Sequence, residues 1–408
     1  MLYGESIVAV VLAGGRGERM GILCQNKAKP VLPFAGSFRV IDFTLSNVIH
    51  SQIANLIVLV DYQRQKIVDY LRHWNTTNTD IKHFEILVPH HGSYSGTANA
   101  VYQNLETLER LKADTVIILA ADHIYKMDYR LMIERHKKLQ ADVTVGVVAV
   151  PIELAHRFGV INADTEDRIL SFVEKPRIPR GNLVSMGIYV FDKKVLIERL
   201  KDDATDPDSP HDFGRAIIPV MVEHHEAFSY RFPGYWQDIG TMEAYYTANM
   251  EISGAQPAFS LDGRWPVLTE ALTMRPAQIS DGGTAENSIV SPGCVIKGHV
   301  KNSVLSPGVI IEEQSTVMNS VLLPNVTIGR FSEVESCIID ESAHIGEYSR
   351  IGMGETLIPG IWDITLVGAR AIVPSHMFIG RNCKILPEVK PDDFTLKVIP
   401  AGTTISGK

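Results

Sequence analysis

Apolar residues in the first 253 positions form short runs that are separated by amphipathic stretches. The runs at 7–12, 53–60 and 115–120 are rich in Val, Ile and Leu and have the length of buried strands. Between them, 63–73 and 97–111 repeat apolar residues at helical spacing. This alternation predicts an α/β domain with a Rossmann-like open, mostly parallel sheet and crossover helices. Such sheets bind ligands beyond the carboxyl ends of their strands.

The same pattern predicts the remaining elements of this domain. Residues 39–47 form a turn into a helix, and Thr97 is a candidate N-cap for the helix at 97–111. A polar turn at 164–167 divides 160–173 into a pair of strands. We expect further strands at 84–88, 143–150, 185–191 and 227–232, and further helices at 194–200, 214–224 and 242–252.

A different period begins near residue 283. Ser288, Ser303, Ser320 and Ser336 recur at intervals of 15, 17 and 16 residues, and an aliphatic residue returns near every sixth position. Units of this length, with three short strands each, are typical of a left-handed parallel β-helix. A β-sandwich is the alternative, but it does not require so regular a unit. The predicted organisation is an α/β domain at 1–253, a linker at 254–282 and a β-helix at 283–408.

Composition narrows the functional classes. The chain has 408 residues, of which 45% are hydrophobic and 21% charged, as in soluble globular proteins of two or three domains. The net charge of −8 is dispersed and there is no basic patch, so no nucleic-acid partner is expected. The first apolar run is too short to span a bilayer and no basic segment precedes it, which predicts a cytoplasmic protein without a membrane partner. The four cysteines lack the spacing of a zinc site.

The first strand ends in a glycine-rich turn with the chemistry of a phosphate site. Gly14, Gly15 and Gly17 let a ligand approach the backbone, and Arg16 and Arg19 offer forked donors to phosphate oxygens. The turn fits neither the Walker A loop nor the GxGxxG dinucleotide motif. An ordinary tight turn between strand and helix is the alternative.

Carboxylates follow two other predicted strands. Asp122 ends the most hydrophobic strand, and Asp238 lies in the aromatic segment GYWQDIGT. Each alone could be a helix or turn cap. Together they offer the few hard oxygens that Mg²⁺ takes when substrate phosphates complete its octahedron.

Two further segments carry groups suited to a sugar phosphate. In FVEKP, Glu174 can accept hydrogen bonds from two sugar hydroxyls, and Lys175 is a point charge for a phosphate, although a solvated surface pair is the alternative. Tyr94 and Gly96 lie just before the helix at 97–111, in a loop that either covers a substrate or only begins the helix.

Nearly the whole chain is covered by short strings in a fixed order: LAGGRGERM with a later KP, IDFTLSN, SGTANAVYQN, DHIYKMDY, FVEKP, SMGIYVF, HDFGRAIIP and YWQDIG. Followed by a β-helix, this order resembles the glucose-1-phosphate adenylyltransferase family, the ADP-glucose pyrophosphorylases of bacterial glycogen and plant starch synthesis. The resemblance implies that 1–253 is a nucleotidyltransferase domain, which transfers the adenylyl group of ATP to α-D-glucose 1-phosphate and releases pyrophosphate. It also implies Mg²⁺ as cofactor, regulation by anionic effectors and a homotetramer.

The family's motifs assign roles to the matching positions of this chain. The catalytic residues are Arg19, Lys29, Asp122 and Asp238, of which the two aspartates are metal ligands. The ATP contacts are Gly14, Gly15, Gly17, Arg19 and Gly96. The glucose 1-phosphate contacts are Tyr94, Gly159, Glu174, Lys175 and Ser185. The effector contacts are Lys27, Arg39, Arg72 and Arg110.

Several positions depart from the family's pattern. Glu18 stands where threonine is usual, Ala121 where glycine is usual and Asn99 where aspartate is usual. A carboxylate beside a polyanion site is unfavourable unless it points to solvent. Asn26 and Ser37 replace frequent basic residues, so the response to anionic effectors is expected to differ from that of better-known relatives.

Other functions remain open on the sequence alone. The glycine loop and FVEKP also occur in enzymes that make UDP-glucose, dTDP-glucose or GDP-mannose. A weakly active regulatory subunit is consistent with Glu18 and Ala121. An acetyltransferase in the β-helix is disfavoured, because no segment there resembles an acyl-CoA site.

Overall fold

The computed structural model describes residues 3–78, 81–355 and 363–407, which form two compact units. The first unit comprises Met1–Arg16 and Ile41–Trp236, and the second comprises Gly17–Val40 and Gln237–Lys408. The second unit therefore includes two stretches from the predicted α/β domain. The predicted domain borders at 253 and 283 stay a prediction, and part of the range 283–408, namely 356–362 and 408, lies outside the described residues.

A nine-stranded sheet is the centre of the first unit. Its strands are β1 (Ile7–Ala13), β2 (Asn55–Val60), β3 (His83–Leu87), β4 (Thr115–Ala120), β5 (Val143–Ala149), β6 (Gly159–Ala163), β7 (Ile169–Glu174), β8 (Leu183–Asp192) and β9 (Ala227–Arg231). Their spatial order is β7-β6-β8-β4-β1-β2-β3, and in addition β5 pairs with β8 and β9 pairs with β5.

The part of the sheet that carries the glycine turn is parallel, as predicted. β1 lies between β2 and β4 and is parallel to both, and β3 continues in the same direction beside β2. Ile7–Val11 are at most 2% exposed, which explains why this strand is apolar on both faces. β8 runs antiparallel to β4, β5 and β6. The pair of strands predicted on either side of 164–167 is β6 and β7, and the structure pairs them antiparallel.

Helices alternate with these strands. They are α1 (Val40–His50), α2 (Arg64–Thr77), α3 (Thr97–Tyr102), α4 (Leu105–Arg110), α5 (Tyr129–Leu139), α6 (Ile152–Ala155), α7 (Lys193–Ala204), α8 (Ile218–His224) after the π-helical turn Phe213–Ile217, and α9 (Met242–Ser253) in the second unit. Short 3-10 turns and two-to-three-residue strands occur at Tyr3–Ser6, Glu18–Cys24, Lys29–Val31, Pro33–Phe34, Phe38–Arg39, His123–Tyr125, Trp236–Asp238 and Pro391–Asp393. In the described parts of the chain, every helix is too short or too polar to cross a membrane.

The single helix predicted at 97–111 is wrong, because the structure has α3 and α4 there. Asn104 interrupts it: the Nδ2 of its side chain donates to the carbonyl of Ala100 at 2.8 Å, and its backbone N–H donates to that of Val101 at 3.0 Å. The predicted N-cap is also wrong. Gly96 precedes the first helical residue, and Thr97 is the first residue of α3.

Three stacked parallel sheets of short strands form the predicted left-handed β-helix of the second unit. The first face holds Gln278–Ile279, Val295–Ile296, Ile310–Ile311, Thr327–Ile328, His344–Ile345 and Ile372–Val373. The second holds Thr284–Glu286, His299–Lys301, Thr316–Met318, Glu333–Glu335, Arg350–Met353, Phe378–Gly380 and Val398–Ile399. The third holds Ile289–Val290, Val304–Leu305, Val321–Leu322, Cys337–Ile339, Thr365–Val367, Lys384–Ile385 and Thr404–Ile405.

Side-chain hydrogen bonds join successive coils at the residues that mark the repeat. The backbone N–H groups of Ser303, Ser320 and Cys337 each donate, at 3.1 Å, to the hydroxyl of the equivalent serine one coil earlier, beginning with Ser288. The fourth marker is therefore Cys337 and not Ser336, which has a φ of 51° at the bend between the second and third faces.

Candidate active site

A cavity of about 440 Å³ lies in the first unit, at the carboxyl ends of the parallel strands. Six of the residues predicted from the sequence line it: Gly14, Gly15, Tyr94, Gly96, Asp122 and Glu174. The position agrees with the rule for open α/β sheets. Groups suited to phosphate, to metal and to sugar hydroxyls thus share one space.

The glycine turn has little room at Gly14 and open space at Gly15. A Cβ atom at Gly14 would lie 3.2 Å from the Cβ of Asp61, so this position has little room for a side chain. A Cβ atom at Gly15 would meet nothing within 4 Å. The backbone at Gly15 is therefore accessible to a ligand, and the side chain of Arg16 is exposed beside it.

Asp122 lies at the end of β4, beside the glycine turn. The backbone N–H of the preceding Ala121 donates to the carbonyl of Leu12 at 3.2 Å, which fixes the turn against β1. Ala121 is 1% exposed, so alanine is accommodated where glycine is usual in the family. The neighbouring His123 has its Nε2 3.4 Å from Asp122 Oδ1, and its ring lies edge-on to Trp236 with 5.1 Å between centroids.

Glu174 has a narrow space that two glycines leave open. A Cβ atom would lie 2.9 Å from Glu174 Oε2 if placed on Gly159, and 2.7 Å from it if placed on Gly214. Lys175 Nζ is 3.0 Å from Glu174 Oε1, and 53% of the Lys175 side chain is exposed. Gly159, a predicted contact of glucose 1-phosphate, thus leaves the space that the Glu174 carboxylate occupies.

The loop before α3 is held by hydrogen bonds from both sides. The backbone N–H of Tyr94 donates to Asp61 Oδ2 at 3.2 Å, and the Tyr94 hydroxyl accepts from Asn104 Nδ2 at 3.1 Å. Burial raises the pKa of Tyr94, so its hydroxyl stays neutral and able to donate. A Cβ atom at Gly96 would lie 2.3 Å from the carbonyl oxygen of His211, which explains why glycine is needed there.

Ser185 is buried and is not among the residues that line the cavity. Its hydroxyl donates to the Tyr189 hydroxyl at 3.3 Å and accepts from the Gly187 N–H at 3.1 Å. Tyr189 and Gly187 do line the cavity. Ser185 therefore contacts two residues of the cavity wall, and its predicted contact with glucose 1-phosphate stays a prediction.

Three other predicted catalytic residues lie in the second unit. Lys29 Nζ is 3.4 Å from Asp238 Oδ1, and Lys29 is only 5% exposed. A Cβ atom at Gly240 would lie 2.8 Å from Asp238 Oδ2 and 3.1 Å from Arg19 Nη2, so these two side chains flank the same glycine. Gly17 has a φ of 68°, a left-handed conformation that favours glycine.

The predicted metal ligands belong to different units. Asp122 is in the first unit and Asp238 is in the second, so their pairing around one cation stays a prediction. Each offers carboxylate oxygens, the donors that hard divalent cations take.

Lys27, a predicted effector contact, is engaged inside the second unit. Its ammonium lies 2.5 Å from Asp340 Oδ1 and 3.2 Å from Glu341 Oε2, and the residue is only 8% exposed. An anion that reached Lys27 would have to compete with these carboxylates.

The other predicted effector contacts have different surroundings. Arg110 pairs with Glu85 on β3, and Arg72 is exposed on α2. Arg39 is half-buried in the second unit. Glu18 is exposed, which reduces the electrostatic conflict that the sequence raised for a carboxylate near the glycine turn.

The lining residues that received no role from the sequence include Asp61, His123, Tyr189, Asp212 and Phe213. Asp61 directly follows β2, and Asp122 follows β4 after one residue, so the argument from strand ends would have found Asp61 as well. Asp212 is different, because it reaches the cavity through a long-range contact. Its Oδ2 accepts from the Thr97 hydroxyl at 2.8 Å.

Known proteins are similar to this chain over most of its length. The family model described as "Nucleotidyl transferase" matches residues 8–254, and the model described as "GlmU-like, C-terminal hexapeptide" matches 273–357. Relatives named glucose-1-phosphate adenylyltransferase match nearly the whole chain. The protein of Thermotoga maritima is 45% identical over 97% of both chains. That of Thermosipho africanus is 42% identical over 93% of this chain and 96% of its own, and that of Acetivibrio thermocellus is 38% identical over 100% and 99%.

Proposed function

The chain belongs to the nucleotidyl transferase family, among the glucose-1-phosphate adenylyltransferases, and from this membership we propose that it converts ATP and α-D-glucose 1-phosphate into ADP-glucose and pyrophosphate. The cavity of the first unit carries the proposal, because it joins an open glycine turn to the carboxylates Asp122 and Glu174. A phosphate oxygen of the sugar phosphate attacks the α-phosphorus of ATP. The bond from that phosphorus to the bridging oxygen breaks, and pyrophosphate leaves.

This reaction needs little proton transfer, so the protein acts by positioning and by neutralising charge. The attacking oxygen is already ionised and requires no general base. In the proposal, the backbone at Gly14 and Gly15 and the side chains of Arg19 and Lys29 hold the ATP phosphates. These groups stabilise the negative charge that develops on the leaving pyrophosphate.

Enzymes of this family use a divalent cation, and we propose that here it is Mg²⁺. Asp122 and Asp238 would hold it, and it would supply charge neutralisation at the phosphates. Carboxylate oxygens fit this cation by donor type. The test is to substitute each aspartate by asparagine and measure activity against Mg²⁺ concentration. We expect each variant to need more Mg²⁺ for half-maximal activity, and an unchanged Mg²⁺ requirement would contradict the assignment.

Glucose 1-phosphate is assigned to the end of the cavity near β7. Glu174 accepts hydrogen bonds from sugar hydroxyls, Lys175 contacts the phosphate, and Tyr94 closes the loop before α3. Lys175→Ala should raise the KM for glucose 1-phosphate far more than the KM for ATP, because the lysine meets only the sugar phosphate. The exposed Lys112 provides a matched control, and Lys112→Ala should leave both values unchanged.

The decisive assay is pyrophosphate release with glucose 1-phosphate and Mg²⁺, comparing ATP, UTP, dTTP and GTP. Preference for ATP supports the proposal. Preference for another nucleotide would make the chain a different nucleotide-sugar pyrophosphorylase. No release from a folded protein would favour the regulatory subunit, although the exposure of Glu18 and the burial of Ala121 make that subunit a weaker candidate.

The biological setting is also a proposal. We place the enzyme in the cytoplasm, as a homotetramer that supplies ADP-glucose for glucan synthesis under the control of anionic effectors. Light scattering of the purified protein tests the oligomeric state. Titration with fructose 1,6-bisphosphate tests the expectation that its activation profile differs from that of relatives.

A further inference from the structure

Asp61 lies at the wall of the substrate cavity and has no role in the chemistry described so far. It directly follows β2, whose Val60 is in register with Ala13 of β1. The next residues along the two strands, Asp61 and Gly14, are therefore side by side at the same edge of the sheet. A Cβ atom at Gly14 would lie only 3.2 Å from the Cβ of Asp61, so this carboxylate begins directly beside the glycine turn.

The Asp61 carboxylate has a fixed orientation. Its Oδ2 accepts a hydrogen bond from the backbone N–H of Tyr94 at 3.2 Å. Within the described residues, Asp61 forms no ion pair, and its Oδ1 accepts no hydrogen bond. Asp61 also lines a second, more open cavity of about 410 Å³ together with Tyr62, Gln63, Arg64 and Ser93, so the space beside it extends beyond the phosphate turn.

A carboxylate at this place repels phosphate and attracts a neutral donor. Three kinds of donor occur on the substrates of the proposed reaction: hydroxyls of glucose, hydroxyls of ribose and the amino group of adenine. The order of strands separates the first from the other two. Glu174 ends β7, and four strands lie between β7 and β2 in the sheet. With the sugar at Glu174 and the phosphates at the glycine turn, the nucleoside extends toward Asp61.

We propose that Asp61 selects the base of the nucleotide by accepting a hydrogen bond from the exocyclic amino group of adenine. This inference rests on the proposed function and goes beyond it by naming a residue for base specificity. A base with a keto oxygen at the same position turns an acceptor toward the carboxylate. The keto oxygen and the carboxylate oxygen that faces it are then unpaired, and they repel each other. Sites that pair a polar group of the substrate reject the analogue that lacks it far more strongly than apolar pockets do.

The sharpest probe is a pair of nucleotides that differ in this group. ATP carries an amino group at position 6 of its purine, and ITP carries a keto oxygen there. Equilibrium binding of both is measured by calorimetry for the full-length protein, for Asp61→Asn and for Asp69→Asn, without glucose 1-phosphate. Asp69 is an exposed carboxylate on α2 and is the matched control. Because turnover is not required, the result is independent of whether the protein proves to be an active enzyme.

The wild-type protein should bind ATP on the order of 10-fold or more tightly than ITP. Asp61→Asn should reduce that ratio about 10-fold, because an amide can turn its N–H toward a keto oxygen. Asp69→Asn should keep the wild-type ratio. A ratio in Asp61→Asn within twofold of wild type overturns the proposal.

2′-Deoxy-ATP separates the base from the ribose. If Asp61 contacts the base, Asp61→Asn leaves the ratio of ATP to 2′-deoxy-ATP affinity unchanged. A change in that ratio without a change in the ratio of ATP to ITP would assign Asp61 to the ribose and overturn the proposal. Failure of the proposed function would instead appear as absence of pyrophosphate release by a protein that still discriminates ATP from ITP.

Discussion

Removing Asp340 should destabilise the second unit more than removal of any surface carboxylate of the same unit. Asp340 lies on the β-helix and pairs with Lys27, which is 313 positions earlier in the sequence. Both side chains are largely buried, at 1% exposure for Asp340 and 11% for Lys27. Burial raises the pKa of Asp340, and the Lys27 ammonium opposes that shift. Each charge therefore depends on the other to remain in the interior.

The magnitude follows from this burial. Leaving one member of a buried ion pair without its partner costs roughly 3–5 kcal/mol. Glu341 remains 3.2 Å from Lys27 in Asp340→Ala and is partly exposed, so the lower end of that range is expected. For a unit of roughly 200 residues, about 3 kcal/mol corresponds to a decrease in Tm of about 6–12 °C.

Differential scanning calorimetry of the full chain measures this effect, because it resolves the transitions of separate units. The control is Glu333→Ala, which removes an exposed partner of Arg350 at 2.9 Å and should cost no more than about 1 kcal/mol. Lys27→Met combined with Asp340→Leu removes both charges and should restore stability to within about 1 kcal/mol of wild type. A Tm for Asp340→Ala equal to that of the Glu333→Ala control would refute the reasoning.

Three shorter predictions concern the pH dependence, the thiols and the sugar site. Burial lowers the pKa of His136 to about 4, so on acidification the unfolded chain takes up a proton on this histidine near pH 6.5 while the folded chain does not. Acidification from pH 7.5 to 5.5 should therefore lower the free energy of unfolding, measured in urea, by about 1 kcal/mol. The variant His136→Gln should lose that pH dependence. Burial raises the pKa of Cys24 to about 11, and the other three cysteines are also buried. Iodoacetamide at pH 8, with the labels counted by mass spectrometry, should therefore modify none of the four thiols in the native protein and all four after unfolding. Rapid labelling of the native protein would contradict the burial. Gly159→Ala would put a methyl group 2.3 Å from the Phe172 ring and should raise the KM for glucose 1-phosphate. Gly181→Ala, whose methyl group would have its nearest contact at 3.9 Å, should leave that KM unchanged. Equal KM values for the two variants would show that Glu174 does not depend on the space at Gly159.

Local patterns in the sequence predicted much of the fold. The apolar run at 7–12 is β1, and the polar turn at 164–167 separates β6 from β7, because strand length and turn chemistry are encoded within a few neighbouring residues. The six-residue spacing of aliphatic residues predicted the β-helix for the same reason. Each coil repeats one local unit, and the side chains that face inward recur at fixed intervals.

Local patterns were less reliable where a tertiary contact competes with them. The helical periodicity of 97–111 is real, but Asn104 bonds to the backbone and to Tyr94, and the helix divides there. The repeat marker moved from Ser336 to Cys337 because the chain bends at Ser336 with a positive φ. In both cases a hydrogen bond or a backbone conformation outweighs a weak preference.

The sequence by itself determined which chemical groups stand at strand ends and beside glycines, because those positions depend on local backbone geometry. Only the tertiary structure decided which of these groups share a space. Glu174 lies in the space that Gly159 and Gly214 leave open, and Asp61 lies beside Gly14 although 46 residues separate them in the sequence. Lys27 forms an ion pair with Asp340, although most of the sequence lies between the two residues, and no local pattern indicates this pairing. The physical reason is that hydrogen bonds and ion pairs depend on distance in space, and folding sets that distance independently of separation along the sequence.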